Sequence, residues 1–257
     1  MILLLGGTSD TAPLADLIVA AGFRVLVSTA TDYPLDKGTH PSISHRAGRL
    51  DRDGLISLIR SESIRAVVDA THPYAEAVSI AAREAARITN VPRLTFVRPA
   101  AVGDGPGLFF AETHIEAAEA AFASGGPVLL TIGANNLAPY ARQAKKTGSP
   151  FAARILPRAE SRAAALKAGA PEACLIPAKG PFSMEETAEL IRERGIRVIV
   201  TKDGGTASGV LEKLEAARQE GCRIIVVRRP RPPASSPPGT SFSTYESLVE
   251  ALLKSSR

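Results

Sequence analysis

The chain has no tryptophan, and aromatic residues make up only 5% of it. No basic run is interleaved with aromatics, so a stacking platform for single-stranded nucleic acid is excluded. Cysteine is nearly absent: Cys174 and Cys222 are the only two. They are too few for a disulfide scaffold and lie too far apart for a metal motif, so a reducing cytoplasm is the expected location. Long hydrophobic runs are missing too. The apolar opening at residues 1–5 is far short of the ~20 residues a membrane helix needs. It has no basic region before it and no small-residue cleavage site after it, so neither a secretory leader nor a membrane partner is expected. The histidines are His40, His45, His72 and His114. They share no ligand spacing, and no metal is expected.

What is present describes an ordinary globular chain. With 257 residues, 45% hydrophobic and 22% charged, it is long enough for one large α/β domain or two small ones. The net charge of +5 is mild and suits an anionic small molecule.

Short β-branched or aliphatic runs alternate with Ala/Leu-rich stretches of helical period. Strands are predicted at residues 2–5, 24–28, 66–69 and 93–97, with helices at 11–21, 51–60 and 73–88 between them. Asp51 is the predicted N-cap of its helix. Residues 29–50, with Pro34, Gly38, Pro41 and Gly48, read as a loop. Residues 98–107, rich in proline and glycine, read as a crossover to a second array. A helix at 113–123 follows, then strands at 128–131, 151–156, 173–177, 198–201 and 224–227. Helices are predicted at 137–145, 161–168, 184–194, 210–219 and 245–254. The fold class is therefore α/β: two Rossmann-like domains, residues 1–100 and 101–257, each a parallel sheet with helices on both faces. Ligands are expected outside the carboxyl ends of the strands, in a cleft between the halves.

The strand-end loops carry the chemistry. Gly6, Gly7, Thr8 and Ser9 form a glycine turn before a helix, a place where backbone can approach a phosphate. The full dinucleotide fingerprint is absent, and the plain alternative is a tight turn that binds nothing. After the second strand, an NAD enzyme places an acid for the ribose 2′-OH. Here Ser28 and Thr29 stand instead, with Arg24 as a nearby cation, which favours NADPH over NADH. The segment Asp69-Ala70-Thr71-His72-Pro73-Tyr74-Ala75 packs an acid, a hydroxyl, an imidazole and a phenol into one turn. His72 is the catalytic candidate and Thr71 a coenzyme contact; the alternative is a histidine that only caps a helix. In the second half, Lys179 and Lys202 stand beside glycines at strand ends, suited to carboxylate or phosphate capture. Tyr33 and Lys37 match the tyrosine–lysine spacing of short-chain dehydrogenases, but their loop position makes the match a coincidence.

Several of these segments together resemble the precorrin-6A reductases. They are Gly6-Gly7-Thr8, Gly48-Arg49-Leu50-Asp51, the Asp69–Ala75 segment in full, Gly180-Pro181-Phe182-Ser183, Thr201-Lys202-Asp203 and Arg229-Pro230. Their order and spacing agree from residue 1 to about 230. The Asp69-Ala70-Thr71-His72-Pro73-Tyr74-Ala75 segment is the specific one. The resemblance implies reduction of a double bond of the precorrin-6A macrocycle by a nicotinamide coenzyme, giving precorrin-6B in cobalamin biosynthesis. It also implies that the two domains exchange their last strands. The family usually has Glu where Asp10 stands and Ser where Gly204 stands. A tetrapyrrole with many carboxylates demands several cations, and Arg49, Arg98, Arg154, Lys179 and Lys202 are the candidates. Two other classes stay open at this point: a different NADPH-dependent reductase of an anionic ring, and a non-catalytic dinucleotide-sensing module.

Overall fold

The structure, a computed structural model, describes residues 1–31, 38–205, 208–229 and 240–255. Tyr33, Lys37 and the Pro/Ser-rich stretch 230–239, whose composition predicts a loop, lie outside the described residues. The chain divides into two compact units, Met1–Pro99 with Pro230–Arg257, and Ala100–Arg229.

The first unit opens with β1 (Ile2–Leu5), α1 (Thr11–Ala20), β2 (Val25–Thr29), β3 (Ile43–Ala47), α2 (Arg52–Ser61), β4 (Ala66–Asp69), α3 (Glu76–Thr89) and β5 (Arg93–Phe96). All four residues of β1 are buried, which is why the run is aliphatic without alternation: both faces are covered. Ile2 and Leu4 pack with Leu14 and Ile18 of α1. Leu3 and Leu5 pack with Leu55 and Ile59 of α2 and Ala82 and Ala85 of α3. Each fully buried Leu or Ile contributes about 1.5–3 kcal/mol of transfer free energy. Asp51 caps α2 as expected, accepting from Gly54 N at 2.8 Å.

The second unit runs through β6 (Leu108–Ala111), α4 (His114–Ala123), β7 (Val128–Leu130), α5 (Ala138–Thr147), β8 (Phe151–Ile155), α6 (Ala159–Lys167), β9 (Leu175–Pro177), α7 (Met184–Arg194), β10 (Val198–Lys202), α8 (Val210–Gln219) and β11 (Arg223–Val227). Leu129, Ile199, Ile224 and Val226 pack against Ala188 and Ile191 of α7 and Leu214 of α8. The chain then gives β12 (Ser241–Phe242) and α9 (Tyr245–Ser255).

Both sheets are parallel and share one plan. The first has the order β12-β5-β4-β1-β2-β3, the second β6-β11-β10-β7-β8-β9. In chain order, the strand after β5 joins the second sheet and the strand after β11 joins the first. The last strands are exchanged, as the resemblance implied. The closing segment, expected within 101–257, therefore belongs with the first unit. Ser241 and Phe242 pair with Thr95 and Phe96, and Leu248 and Leu252 of α9 are buried in the core of the first sheet. The units divide between Pro99 and Ala100 and again between Arg229 and Pro230.

Three strands were missed. β3 carries only one buried residue, Ile43, so as a polar edge strand it gives no apolar run. β12 has only two residues, and β6 is an edge strand whose four residues are mostly half-buried. The helix predicted from Pro73 begins at Glu76. Residues 70–75 instead form a turn that Asp69 holds with its side chain.

Candidate functional site

In the first unit the chain order reverses at β1, which lies between β4 and β2. The loop after β1 therefore sits at the switch point where α/β sheets bind ligands. A Cβ on Gly6 would lie 2.6 Å from Thr11 Cγ2, so only glycine lets the chain pass under the buried first turn of α1. Gly7 has φ +109°, and a Cβ there would meet nothing within 4 Å. Thr11 Oγ1 accepts from Gly7 N (3.0 Å) and Thr8 N (3.2 Å), which shapes the loop from within. Thr8 is buried, and its hydroxyl donates to Ala70 O at 3.2 Å. Gly7 and Ser9 are exposed. The open space over Gly7, whose own N–H is spent on Thr11, and the hydroxyl and amide of Ser9 are what the loop can offer a phosphate.

Asp10 is 8% exposed. Its carboxylate is paired with Arg98 and accepts from Tyr245 OH at 2.7 Å. Burial, then the hydrogen bond and charge of Asp10, push the Tyr245 phenol up to about 12. Arg98, a candidate substrate contact on sequence, is thus engaged inside its own unit.

At the end of β2, Ser28 and Thr29 are both buried. Thr29 donates to Thr31 O at 2.8 Å. Ser28 Oγ accepts from Arg46 of β3 at 2.7 Å. Arg24 does not stand there. It precedes the amino end of β2 and, with Asp16, Phe23, His40 and Ser42, lines a cavity. Arg46 occupies the position that the sequence reading gave to Arg24. It was missed because residues 29–50 were read as a loop. Arg49 is exposed in the turn between β3 and α2.

After β4, Asp69 is 2% exposed. Its Oδ1 accepts from Thr71 N (3.2 Å) and Thr71 Oγ1 (2.7 Å). Its Oδ2 accepts from Ser79 Oγ and from Arg93 Nη2, each at 2.8 Å. The acid and hydroxyl of the motif therefore build the turn, and the imidazole stands beside it. His72 is half-buried; its Nδ1 accepts from Tyr74 N at 3.4 Å, and the two rings are 5.6 Å apart.

The second unit gathers cations at the carboxyl end of its sheet. Lys202 ends β10, and burial lowers its pKa to about 8. Lys213 of α8 is 9% exposed and donates to Ser208 O at 3.1 Å. Burial, then the charges of Arg154 and Lys202, lower it to about 8. Sequence reasoning missed Lys213, although it interrupts the buried stripe of Val210, Leu214 and Ala217 on one helix face. A lysine inside an apolar stripe was the available signal. Arg154 donates to Thr187 Oγ1 at 3.1 Å, and its guanidinium lies 3.9 Å from the centre of the Phe182 ring. Lys179 is exposed. His114 Nδ1 is 2.9 Å from Tyr140 OH. Burial, then the Lys202 charge, lower His114 to about 4. It is therefore neutral at physiological pH.

Asp203 anchors the loop after β10. It accepts from Ala101 N (3.0 Å), Val102 N (3.2 Å), Gly205 N (2.8 Å) and Arg229 Nη2 (2.9 Å). Its role is to shape the turn beside Lys202. Among the described residues, no group of His, Cys, Asp and Glu could hold a metal ion, and no helix is long and apolar enough to cross a membrane.

The sequence model of the family described as "Precorrin-6x reductase CbiJ/CobK" matches residues 1–253. The chain belongs to this reductase family. It is 33% identical over 258 residues to a cobalt-precorrin-6A reductase of Priestia megaterium, with both chains covered in full. It is 31% identical over 236 residues to a precorrin-6A reductase of Rhodococcus erythropolis, covering 91% of each chain. Among solved structures, "CobK precorrin-6A reductase" superposes with a TM-score of 0.77 at 27% identity, over 99% of this chain and 96% of that one. Membership makes the protein an oxidoreductase of cobalamin biosynthesis and removes the sensing-module reading.

Proposed function

We propose that the protein reduces a double bond of the precorrin-6A macrocycle with NADPH, giving precorrin-6B. The match to the reductase family over residues 1–253 carries the reaction. The coenzyme reading is supported by the Gly6–Asp10 loop at the switch point of the first sheet and by the lack of an acid among residues 25–31. The residues present fit such a coenzyme. A Cβ on Gly7 would meet nothing within 4 Å, and Ser9 offers donors at the start of α1.

When bound, NADPH supplies the hydride. This chain's own work is positioning, charge and a proton. Gly7 and Ser9 receive the pyrophosphate; Thr8 and Thr11 keep the loop in shape. Lys202 and Lys213 of the second unit hold carboxylates of the tetrapyrrole, joined by the exposed Lys179; Arg49 is an exposed cation of the first unit. Arg154, bonded to Thr187, adds charge behind them, and Arg98 sets Asp10 and the first loop. His72 donates the proton to the carbon next to the reduced one. Imidazole is the side chain suited to giving up a proton near neutrality, and such a donor supplies about 10²–10⁴-fold in rate.

Turnover with NADPH deuterated at the transferred position tests this reading. One deuterium on the reduced macrocycle is expected. Reduction without deuterium in the product overturns it.

A further inference from the structure

Arg46 is the register partner of Ser28 at the carboxyl ends of β3 and β2. Its Nη1 donates to Ser28 Oγ at 2.7 Å and to Gly48 O at 2.9 Å, and its Nη2 donates to Ala47 O at 3.3 Å. All three acceptors are neutral. The bonds use three of the five guanidinium N–H groups, leaving Nε–H and one Nη2–H unused, and no acidic side chain bonds to Arg46 among the described residues. A half-buried guanidinium fixed in plane by neutral oxygens keeps its charge for an outside anion, and its fork fits phosphate oxygens.

Its place in the sheet says which anion. With the pyrophosphate at the loop after β1, the adenosine ribose reaches the end of β2. There an acid selects the free 2′-OH, and an arginine accommodates a 2′-phosphate. Residues 25–31 hold no acid, and Thr29 spends its hydroxyl on Thr31 O. We propose that Arg46, oriented by Ser28, binds the adenosine 2′-phosphate of the coenzyme and so sets the preference for NADPH over NADH. Ser28 is then a positioning residue that acts through Arg46. The proposal rests on the NADPH reading above and adds the residue that makes the choice.

Calorimetric titration with adenosine 2′,5′-bisphosphate and with adenosine 5′-monophosphate separates the two readings. The unmutated protein is expected to prefer the bisphosphate. Arg46→Gln should weaken the bisphosphate by roughly tenfold to a hundredfold, the loss of a charge-assisted contact. It should leave the monophosphate unchanged, which also reports an intact site. Arg46→Lys, which keeps the charge but not the fork, should weaken the bisphosphate less than Arg46→Gln. Equal loss of both ligands in either variant would make Arg46 a structural tie and overturn the assignment. A preference that survives Arg46→Gln refutes Arg46 alone. Equal binding of both ligands by the unmutated protein refutes the NADPH reading and the assignment together.

Discussion

Tyr245 donates its hydroxyl to Asp10 across 2.7 Å, tying the closing helix α9 to the loop after β1. The bond spans 235 positions of sequence. Through it the returning segment helps hold the loop after β1. Tyr245→Phe should lower unfolding stability by about 1.5–3 kcal/mol, the range for a hydrogen bond to a charged group. The tyrosine is held at about 12, above the unfolded value of about 10. Its contribution is therefore complete below about pH 10 and lost as pH rises toward 12. Urea midpoints of both proteins at neutral and alkaline pH check this; the gap between them should close at the alkaline end.

Arg98 and Asp10 form the companion pair, with side chains 12% and 11% exposed. Removing one partner of a buried pair leaves an uncompensated charge and costs about 3–5 kcal/mol. Arg98→Ala should therefore destabilise the first unit by that order in urea unfolding. Unchanged stability with weakened tetrapyrrole binding would return Arg98 to the substrate contacts that the sequence assigned it.

The architecture was legible where a strand is buried on both faces. Residues 2–5, 66–68 and 198–200 are aliphatic runs because helices cover both sides of the sheet. β3, β6 and β12 escaped because they are edge strands, polar, half-covered or only two residues long, and carry no such signal. The site was legible in its loops and not in its pairings. Asp69 and Thr71 were recognised as unusual, yet their bonds to Ser79 and Arg93 depend on residues ten and 24 positions away. Arg46 was invisible once its strand was read as a loop. Lys213 is buried by tertiary packing, and only its place in an apolar stripe hinted at that.

The buried lysines predict a pH dependence with a definite sign. Lys213 is lowered to about 8 from an unfolded value of about 10.4. Between those values the unfolded chain binds more protons, so stability rises with pH through that window. Affinity for an anionic tetrapyrrole should move the opposite way, falling above about pH 8 as the lysine loses its charge. Lys213→Met should remove part of both trends. Binding at pH 7 and 9 and urea unfolding over the same range check them.

His72→Asn keeps hydrogen bonding and removes the titratable proton. Single-turnover reduction with both ligands saturating should slow by about 100-fold or more, and its pH profile should change. A mutant with the wild-type rate and profile would make solvent the proton source and leave His72 as a turn residue beside Tyr74.

Anaerobic incubation of the purified protein with NADPH and precorrin-6A, with the tetrapyrrole spectrum followed, is the decisive measurement. Conversion of the macrocycle with stoichiometric oxidation of NADPH is expected, with slower or weaker turnover with NADH. An unchanged tetrapyrrole spectrum beside fully reduced NADPH would overturn the reductase assignment.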